Sequence, residues 1–262
     1  MSDRPAGLVE HTQWQRVRAI PGSLLWLVGA TLFTVVYGVI ALPLACALPH
    51  RARFRIFYGW STALLRWTRI ACGIHYQVQI DRGQAVEPSI VMCKHQSAWE
   101  TLALMEWFQP QTWVLKRELL QLPFIGWALA LLNPIAIDRR ARKQAMTQLS
   151  EQGAEQLRAG RWVVIFPEGT RIPAGRSGRY RRGGAALAVA TGTPVVPVAH
   201  NAGELWPRNS LLKFPGTVNV HIGPPMSPEQ GETADAFLDR VQDWIENHTR
   251  ALSTVYEDPR NG

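Results

Sequence analysis

The feature that most constrains this chain is a long stretch without formal charge near its beginning. From residue 19 to residue 49 no Asp, Glu, Lys or Arg interrupts 31 residues that are rich in Leu, Val and Ala. About 20 apolar residues suffice to cross the hydrocarbon core of a bilayer, so the stretch predicts a membrane-associated helix over about residues 20–48. A cleaved signal peptide is the alternative, but its apolar region is shorter, and Ala45-Cys46-Ala47 is a weak cleavage signal.

A second helix is predicted directly after this stretch, over about residues 52–71. Its polar positions recur at helical spacing and are Arg55, Gly59, Thr62, Arg66 and Arg69. A basic face opposite aromatic residues such as Phe57 and Trp60 is typical of a helix at a membrane surface; packing of that apolar face on the protein core is the alternative. Five arginines follow the apolar stretch and three precede it, which favours a cytoplasmic remainder of the chain unless the two helices form a re-entrant hairpin.

The rest of the chain alternates between strand-like and helical patterns. Short apolar runs predict strands over residues 74–80, 90–93, 112–115, 135–137, 162–166, 194–199 and 218–222. Helical periodicity predicts helices over residues 98–108, 118–131, 143–159, 182–190 and 233–251. Such alternation predicts one α/β domain over residues 73–252, with a mixed, largely parallel sheet flanked by helices, between the N-terminal segment 1–72 and a tail over 253–262.

Composition excludes several classes of protein. With 47% hydrophobic and 18% charged residues the chain forms a core and is not disordered. Three cysteines without metal-ligand spacing (Cys46, Cys72 and Cys93) argue against a disulfide framework and a structural zinc site. Residues 139–182 hold eleven Lys and Arg against three acidic residues, a local excess of eight that equals the net charge of +8 of the whole chain. This favours a localised anion site over a solvated charged face, and no recognition fold for nucleic acid accompanies it.

One candidate for chemistry is the segment from His95 to Glu100, which follows a short apolar strand. A carboxylate near a histidine fixes the imidazole tautomer and stabilises the imidazolium that forms when the ring accepts a proton. Yet Ser97-Ala98-Trp99-Glu100 also matches a capping box, in which Glu100 would only satisfy the backbone N–H of Ser97. On this segment alone catalysis and helix capping are both open.

A second candidate is Phe166-Pro167-Glu168-Gly169-Thr170-Arg171, which ends a buried strand. Pro167 stops the hydrogen-bond ladder, Gly169 lets the backbone approach a ligand closely, and Arg171 offers a forked donor that suits phosphate. An ordinary turn is the alternative.

Together these segments resemble the PlsC-type family of glycerolipid acyltransferases, which includes the 1-acylglycerol-3-phosphate acyltransferases. The resemblance covers about residues 74–225, and the four blocks of the family correspond to residues 95–100, 136–139, 166–171 and 196–198, with residues 116–127 matching the stretch before the second block. Three positions depart from the family pattern: Glu100 replaces the usual Asp, Lys94 replaces a frequent Asn, and Ala136 stands where an aromatic residue is common.

The resemblance implies acyl transfer from acyl-CoA or acyl carrier protein to a lysophosphatidate, with His95 as general base and Glu100 orienting its ring. Arg139 and Arg171 are the candidate clamp for the phosphate, with Lys116 as a third; the acceptor site would be shaped by Glu168, Gly169 and Thr170. Four further arginines would meet CoA phosphates, an acidic carrier protein or lipid headgroups, namely Arg176, Arg179, Arg181 and Arg182.

No metal and no cofactor beyond the acyl thioester is expected, and His200 and His221 are interpreted as structural. The implied location is the cytoplasmic (inner) membrane, with the catalytic domain on the cytoplasmic side. Three alternatives stay open: glycerol 3-phosphate as acceptor, another lysolipid such as lyso-ornithine lipid, and a membrane-anchored binder of anionic lipid without catalysis.

Overall fold

The structure, a computed structural model, describes residues 11–81, 87–138 and 141–256, with the backbone alone at residues 142 and 143. Its helices in these ranges are α1 Gln13–Cys46, α2 His50–Cys72, α3 Trp99–Trp107, α4 Ile125–Leu131, α5 Arg142–Arg158, α6 Gly183–Thr191, α7 Ala202–Leu205 and α8 Ala234–Leu252. Its strands are β1 Ile74–Ile80, β2 Ile90–Cys93, β3 Gln111–Lys116, β4 Ile135–Ile137, β5 Trp162–Ile165, β6 Val195–His200 and β7 Gly216–Ile222.

The strands form one sheet in the order β1-β7-β6-β2-β5-β3-β4. The five strands from β6 to β4 are parallel to one another, whereas β7 is antiparallel to β6 and pairs in parallel with β1. The predicted mixed, largely parallel sheet is therefore confirmed. Because β6, β2, β5, β3 and β4 share a direction, their carboxyl ends lie at one edge, where ligands bind in open α/β sheets.

Alternation along the buried strands divides the core into two layers. Val91 and Cys93 of β2 pack with α2 and α3 on one face of the sheet, and Ile90 and Met92 pack with α5, α6 and α8 on the other. All four residues are fully buried. This two-residue period is the reason that a short, continuous apolar run suffices to specify a strand covered on both faces.

The predicted helix over residues 118–131 is interrupted, which corrects the sequence-based assignment. A 3₁₀ helix covers Arg117–Gln121, and α4 begins only at Ile125. Pro123 disfavours helical backbone at the residue before it, and Phe124 adopts a positive φ of 59°. The short helix α7 is absent from the sequence-based assignment, because four residues are too few to show a helical period.

The two N-terminal helices form an antiparallel hairpin. Hydrogen bonds join Trp26 to Thr68 (2.8 Å), Thr34 to Trp60 (3.2 Å) and Tyr37 to the carbonyl of Ile56 (2.7 Å). The helix α1 begins earlier than predicted, because Thr12 and Gln15 form a capping box that extends it over the charged residues before the apolar stretch.

The apolar face of α2 is buried in the protein. Phe54, Phe57 and Leu65 belong to the core layer that also contains Trp99 of α3. The predicted insertion of this face into a membrane surface is therefore wrong, and its alternative, packing on the core, is what the structure shows. The outer face of α1, in contrast, stays exposed over its length; its exposed side chains include Leu24, Val28, Leu32, Val36, Val39 and Ile40.

Both ends of α1 contact the rest of the protein. At its beginning, the ring of His11 reaches the carbonyl of Glu204 (3.0 Å), and the Ser23 hydroxyl accepts the N–H of Lys213 (2.9 Å). At its end, Arg53 of α2 bonds to the carbonyls of Ala45 of α1 (2.9 Å) and Leu131 of α4 (3.4 Å). By length and composition α1 is apolar enough to cross a membrane.

Candidate active site

The carboxyl edge of the sheet brings the predicted site residues into one region. His95 follows β2, residues 166–171 follow the adjacent β5, and Lys116 ends β3. Lys116 is exposed and pairs with Glu118 at 3.2 Å. Arg139, which was predicted to clamp phosphate, lies outside the described residues.

The side chains at the end of β2 continue the alternation of the strand. The Lys94 N–H donates to the carbonyl of Val198 (3.0 Å), so the ladder extends one residue past the strand. His95 consequently faces α3, which carries Glu100, and the side chain of Lys94 faces α8, which carries Glu246. Neighbouring residues thus contact carboxylates on opposite faces of the sheet.

His95 and Glu100 form a direct pair. The distance between His95 Nδ1 and Glu100 Oε1 is 2.9 Å, and the same oxygen accepts the backbone N–H groups of Gln96 (3.0 Å) and Ser97 (2.8 Å). Burial alone would raise the pKa of Glu100, but the nearby imidazoles of His200 and His95 and the Ser97 N–H outweigh it and lower that pKa. The carboxyl is therefore ionised at neutral pH although it is buried.

Catalysis and capping turn out to be compatible at Glu100. The helix α3 begins at Trp99, and the side chain of its N-cap residue, Ala98, makes no capping bond. Glu100 accepts the Ser97 N–H, as a capping box requires, and orients the ring of His95 with the same oxygen. The two interpretations of this segment describe one set of contacts.

Two further contacts hold His95, one at its ring and one at its backbone. It stacks on Phe166 with ring centroids 4.1 Å apart, and its side chain retains 14% of its exposure. The backbone carbonyl of His95 accepts the N–H of Ile172 (2.8 Å). With Nδ1 directed at Glu100, Nε2 is the ring atom that remains for a ligand.

Glu168 lies inside the protein. Its Oε2 accepts the backbone N–H of His95 (3.0 Å), and its Oε1 forms an ion pair with Lys94 (3.0 Å). Burial raises the pKa of Glu168 to about 7, although Lys94 opposes the shift. The Glu168 carboxyl therefore contacts the backbone of the His95 segment from the buried side, and its part in shaping the acceptor site stays a prediction.

The other residues of this segment differ in their surroundings. Gly169 has a positive φ of 68°, a backbone conformation that favours glycine. Thr170 is exposed, and Arg171 is half-buried. Arg171 therefore follows β5 at the carboxyl edge, and its contact with phosphate stays a prediction.

Sequence reasoning overlooked two groups around the site. Glu246 of α8 accepts from Lys94 Nζ (2.6 Å), and Lys94 is fully buried. Burial alone lowers the pKa of Lys94, but the carboxylates of Glu168 and Glu246 outweigh it and raise that pKa. Arg208 donates from its guanidinium to the carbonyl of Arg171, which brings a second guanidinium to this segment.

Two other histidines and one cysteine are held by contacts outside the His95–Glu100 pair. His200 is fully buried, donates from Nε2 to the carbonyl of Lys94 (2.9 Å) and accepts the N–H of Ala202 (3.1 Å) at Nδ1. His221 pairs with Asp81 at 2.8 Å. Burial raises the pKa of the Cys93 thiol well above its ordinary value, which makes this thiol a poor nucleophile. Among the described residues no cluster of three or more His, Cys, Asp or Glu is placed to hold a metal.

Comparison with known proteins identifies the family. The family model described as Acyltransferase matches residues 75–201, which include both candidate segments. A 1-acyl-sn-glycerol-3-phosphate acyltransferase of Pseudomonas aeruginosa is 46% identical over 245 residues, which are 92% of this chain and 95% of that protein. The chain belongs to the PlsC-type acyltransferase family. This membership favours an enzyme over the non-catalytic lipid binder.

More distant members agree with this assignment. The human 1-acyl-sn-glycerol-3-phosphate acyltransferase alpha is 33% identical over 181 residues, which are 67% of this chain and 62% of that protein. The crystal structure of the 1-acyl-sn-glycerophosphate acyltransferase PlsC from Thermotoga maritima superposes with a TM-score of 0.75 at 22% identity, and covers 93% of this chain and 100% of that one. The fold of this acyltransferase is thereby confirmed.

Proposed function

We propose that this acyltransferase moves a fatty acyl group from acyl-CoA or acyl carrier protein to the sn-2 hydroxyl of 1-acylglycerol 3-phosphate. The product is phosphatidic acid for phospholipid synthesis. The observation that carries the proposal is the His95–Glu100 pair, 2.9 Å apart, at the sheet edge that also holds Arg171. The names of the relatives support the choice of acceptor.

The general base in this proposal is His95 Nε2. Because Glu100 is ionised and lies 2.9 Å from Nδ1, the tautomer with a proton on Nδ1 is favoured. The lone pair of Nε2 then accepts the proton of the acceptor hydroxyl as its oxygen attacks the thioester carbonyl. A carbon–oxygen bond forms, the carbon–sulfur bond breaks, and the imidazolium returns its proton to the leaving thiolate. No acyl-enzyme intermediate is needed.

The acceptor phosphate is assigned to Arg171, with Arg139 and Lys116 as further ligands. A guanidinium keeps its charge and pairs with phosphate through two parallel hydrogen bonds. Arg171 makes no ion pair with any residue in the described ranges, so its fork is available to a ligand. The half-buried position restricts its motion and reduces the entropy lost on binding.

The acyl donor is assigned to the exposed basic side of the same edge. Arg176, Arg179, Arg181 and Arg182 are all exposed, and Arg182 only approaches Asp235 at 3.7 Å. Phosphates of CoA or acidic side chains of a carrier protein complement such a surface.

The exposed apolar face of α1 is proposed to lie in the cytoplasmic membrane, with the carboxyl edge of the sheet on the cytoplasmic side. Since both ends of α1 contact the rest of the protein, a helix along the membrane surface fits these contacts better than one that crosses. The full chain should therefore stay with membranes through a high-salt wash, because salt screens charges and leaves apolar burial intact. Recovery in the soluble fraction would contradict this location.

Acceptor choice is tested by assaying the purified chain with lysophosphatidate, glycerol 3-phosphate and lyso-ornithine lipid side by side, each with acyl-CoA and with acyl carrier protein. The proposal expects the largest kcat/KM with lysophosphatidate. A preference for glycerol 3-phosphate or for lyso-ornithine lipid would keep the reaction type and overturn the acceptor.

A further inference from the structure

The segment between β5 and α6, residues 166–182, has no regular secondary structure although it carries five arginines. We call it the arginine loop. Four of those arginines are exposed, yet other residues of the loop are deeply buried; Tyr180, for example, is 6% exposed. Contacts with buried groups must therefore keep the loop folded against the protein, since exposed segments with few contacts unfold locally at little cost in free energy.

The contacts of the arginine loop converge on one carboxylate. Glu246 of α8 accepts the hydroxyls of Ser177 (2.6 Å, at Oε2) and Tyr180 (2.9 Å, at Oε1). It also accepts from Lys94 Nζ at 2.6 Å, and the same ammonium donates to the carbonyl of Arg176 (3.3 Å). Glu246 is itself 4% exposed, so these bonds are shielded from water.

Lys94 connects Glu246, which anchors the arginine loop, to the backbone of His95. Its ammonium donates to Glu246 and to the Arg176 carbonyl and forms an ion pair with Glu168, which in turn accepts the His95 N–H. After α8, the Tyr256 hydroxyl donates to the Arg176 carbonyl as well (2.9 Å). Glu246 lies outside residues 75–201, so the family model does not include it.

We propose that Glu246 is a positioning residue for acyl transfer: it holds the arginine loop at the carboxyl edge of the sheet so that Arg171 meets the phosphate of the acceptor. The inference rests on the proposed function for its substrate, but the anchoring of the loop is independent of it. Glu246 touches no reacting atom and acts through Ser177, Tyr180 and Lys94.

Two variants at this position separate anchoring from folding. Glu246→Ala removes every contact to the loop hydroxyls but leaves Lys94 paired one-to-one with Glu168, so no buried charge is orphaned. Glu246→Gln keeps the size of the side chain and one acceptor oxygen but removes the charge that pairs with Lys94. The matched control is Asp81→Ala, since Asp81 is a carboxylate that pairs with His221 (2.8 Å), whose ring packs on Trp244 of α8, and makes no hydrogen bond to the loop among the described residues.

The first measurement uses trypsin, which cleaves after arginine. With the full-length chain, we expect cleavage after Arg176, Arg179, Arg181 and Arg182 to become about 10-fold faster or more in Glu246→Ala, because hydrogen bonds to a charged group are lost. Glu246→Gln should restore part of the protection, and Asp81→Ala should leave the rate at these four sites unchanged. Mass spectrometry identifies the sites.

The second measurement is the split between KM and kcat. Glu246→Ala should raise the KM for lysophosphatidate about 10-fold while kcat and the KM for monoacylglycerol, which lacks the phosphate, stay within about threefold. Equal losses with both acceptors would overturn the positioning role. Unchanged trypsin rates and KM values in a folded Glu246→Ala chain would overturn the whole inference.

Failure of Glu246→Ala to fold would leave Ser177→Ala and Tyr180→Phe, each of which removes one hydroxyl from Glu246. Both variants should raise the trypsin cleavage rate and the KM for lysophosphatidate, each by less than is expected for Glu246→Ala. If neither variant changes these two quantities, Glu246 does not anchor the loop. If the wild-type chain acylates no lysophosphatidate, the proposed function fails, while the trypsin rates still decide the anchoring.

Discussion

Two buried glutamates flank the peptide between Lys94 and His95, and their environments differ sharply. Glu100 is 1% exposed and Glu168 is 4% exposed, yet the pKa of Glu100 is lowered and that of Glu168 is raised to about 7. Glu100 Oε1 alone receives three donors, whereas Glu168 shares one ammonium with a second carboxylate, Glu246. Hydrogen-bond donors and neighbouring charges, and not burial alone, decide which buried carboxyl is ionised.

The two sides of the peptide between Lys94 and His95 suit different roles. The Glu100 side has an ionised carboxylate behind a partly exposed imidazole, which suits proton transfer. On the Glu168 side the ammonium of Lys94 is shared by the carboxylates of Glu168 and Glu246. All three groups are buried, which suits the positioning of loops. Removing a group from either side of the peptide tests this division of roles.

The largest effect is expected from His95→Ala. Without the imidazole no group on the Glu100 side accepts the hydroxyl proton, and general acid–base groups contribute about 10²- to 10⁴-fold. We expect kcat to fall by that amount in a chain that stays folded, since the N–H groups of Gln96 and Ser97 still bind Glu100. Substantial acyl transfer by the folded variant would show that another base acts.

The second largest effect is expected for the residue that we assign to the acceptor phosphate, Arg171. Arg171→Ala should raise the KM for lysophosphatidate about 10- to 150-fold, because a hydrogen-bonded charge pair is worth about 1.5–3 kcal/mol. The KM for the acyl thioester should change much less. Arg171→Lys should rescue in part, since an ammonium keeps the charge without the fork.

Monoacylglycerol provides the control for Arg171, because it lacks the phosphate. Equal weakening of both acceptors would make Arg171 structural and move the phosphate site to Arg139 and Lys116.

A smaller effect concerns stability against pH. The pKa of Glu168 rises from its ordinary 4.5 to about 7 in the folded chain, so the folded state binds more protons between these values. The contribution of Glu168 to the free energy of unfolding therefore falls as pH increases through this window. Glu168→Gln, which cannot titrate, should show a weaker decline of melting temperature between about pH 5 and pH 7 than the wild type. Parallel pH curves for the two proteins would contradict the assignment.

The smallest effect is expected for an exposed arginine. Arg179→Ala should weaken the acyl donor or the membrane only a few-fold, because exposed charges are screened, and the loss should shrink at high salt. A salt-independent loss as large as that of Arg171→Ala would place Arg179 in the site.

The sequence predicted the His95–Glu100 pair but not the contact between Lys94 and Glu246. His95 and Glu100 are close in sequence and carry a spacing that can be recognised, and the fully buried strand before them shows as an apolar run. Glu246 is 152 residues from Lys94, and an acidic residue on an amphipathic helix looks solvent-facing in sequence. Only the alternation of β2, carried one residue beyond Cys93, would have indicated that Lys94 points away from His95.

The N-terminal helices show the same limit. The charge-free stretch predicted α1, but the apolar face of α2 has the same composition whether it meets lipid or protein. Contacts far along the chain decide this, such as Ser61 donating to the carbonyl of Leu102 (2.9 Å). The break before α4 was, in contrast, readable from Pro123.

We propose that Glu100 supports proton transfer in addition to capping α3. The most direct test is kcat of Glu100→Gln at pH 7.5, with the melting temperature measured on the same sample and Glu168→Gln as the matched variant on the other side of the peptide. We predict that Glu100→Gln loses at least about 10²-fold in kcat while it remains folded, because a neutral amide does not stabilise the imidazolium, and that Glu168→Gln loses far less. A folded Glu100→Gln chain with full activity would contradict the account and leave the carboxylate as a cap alone.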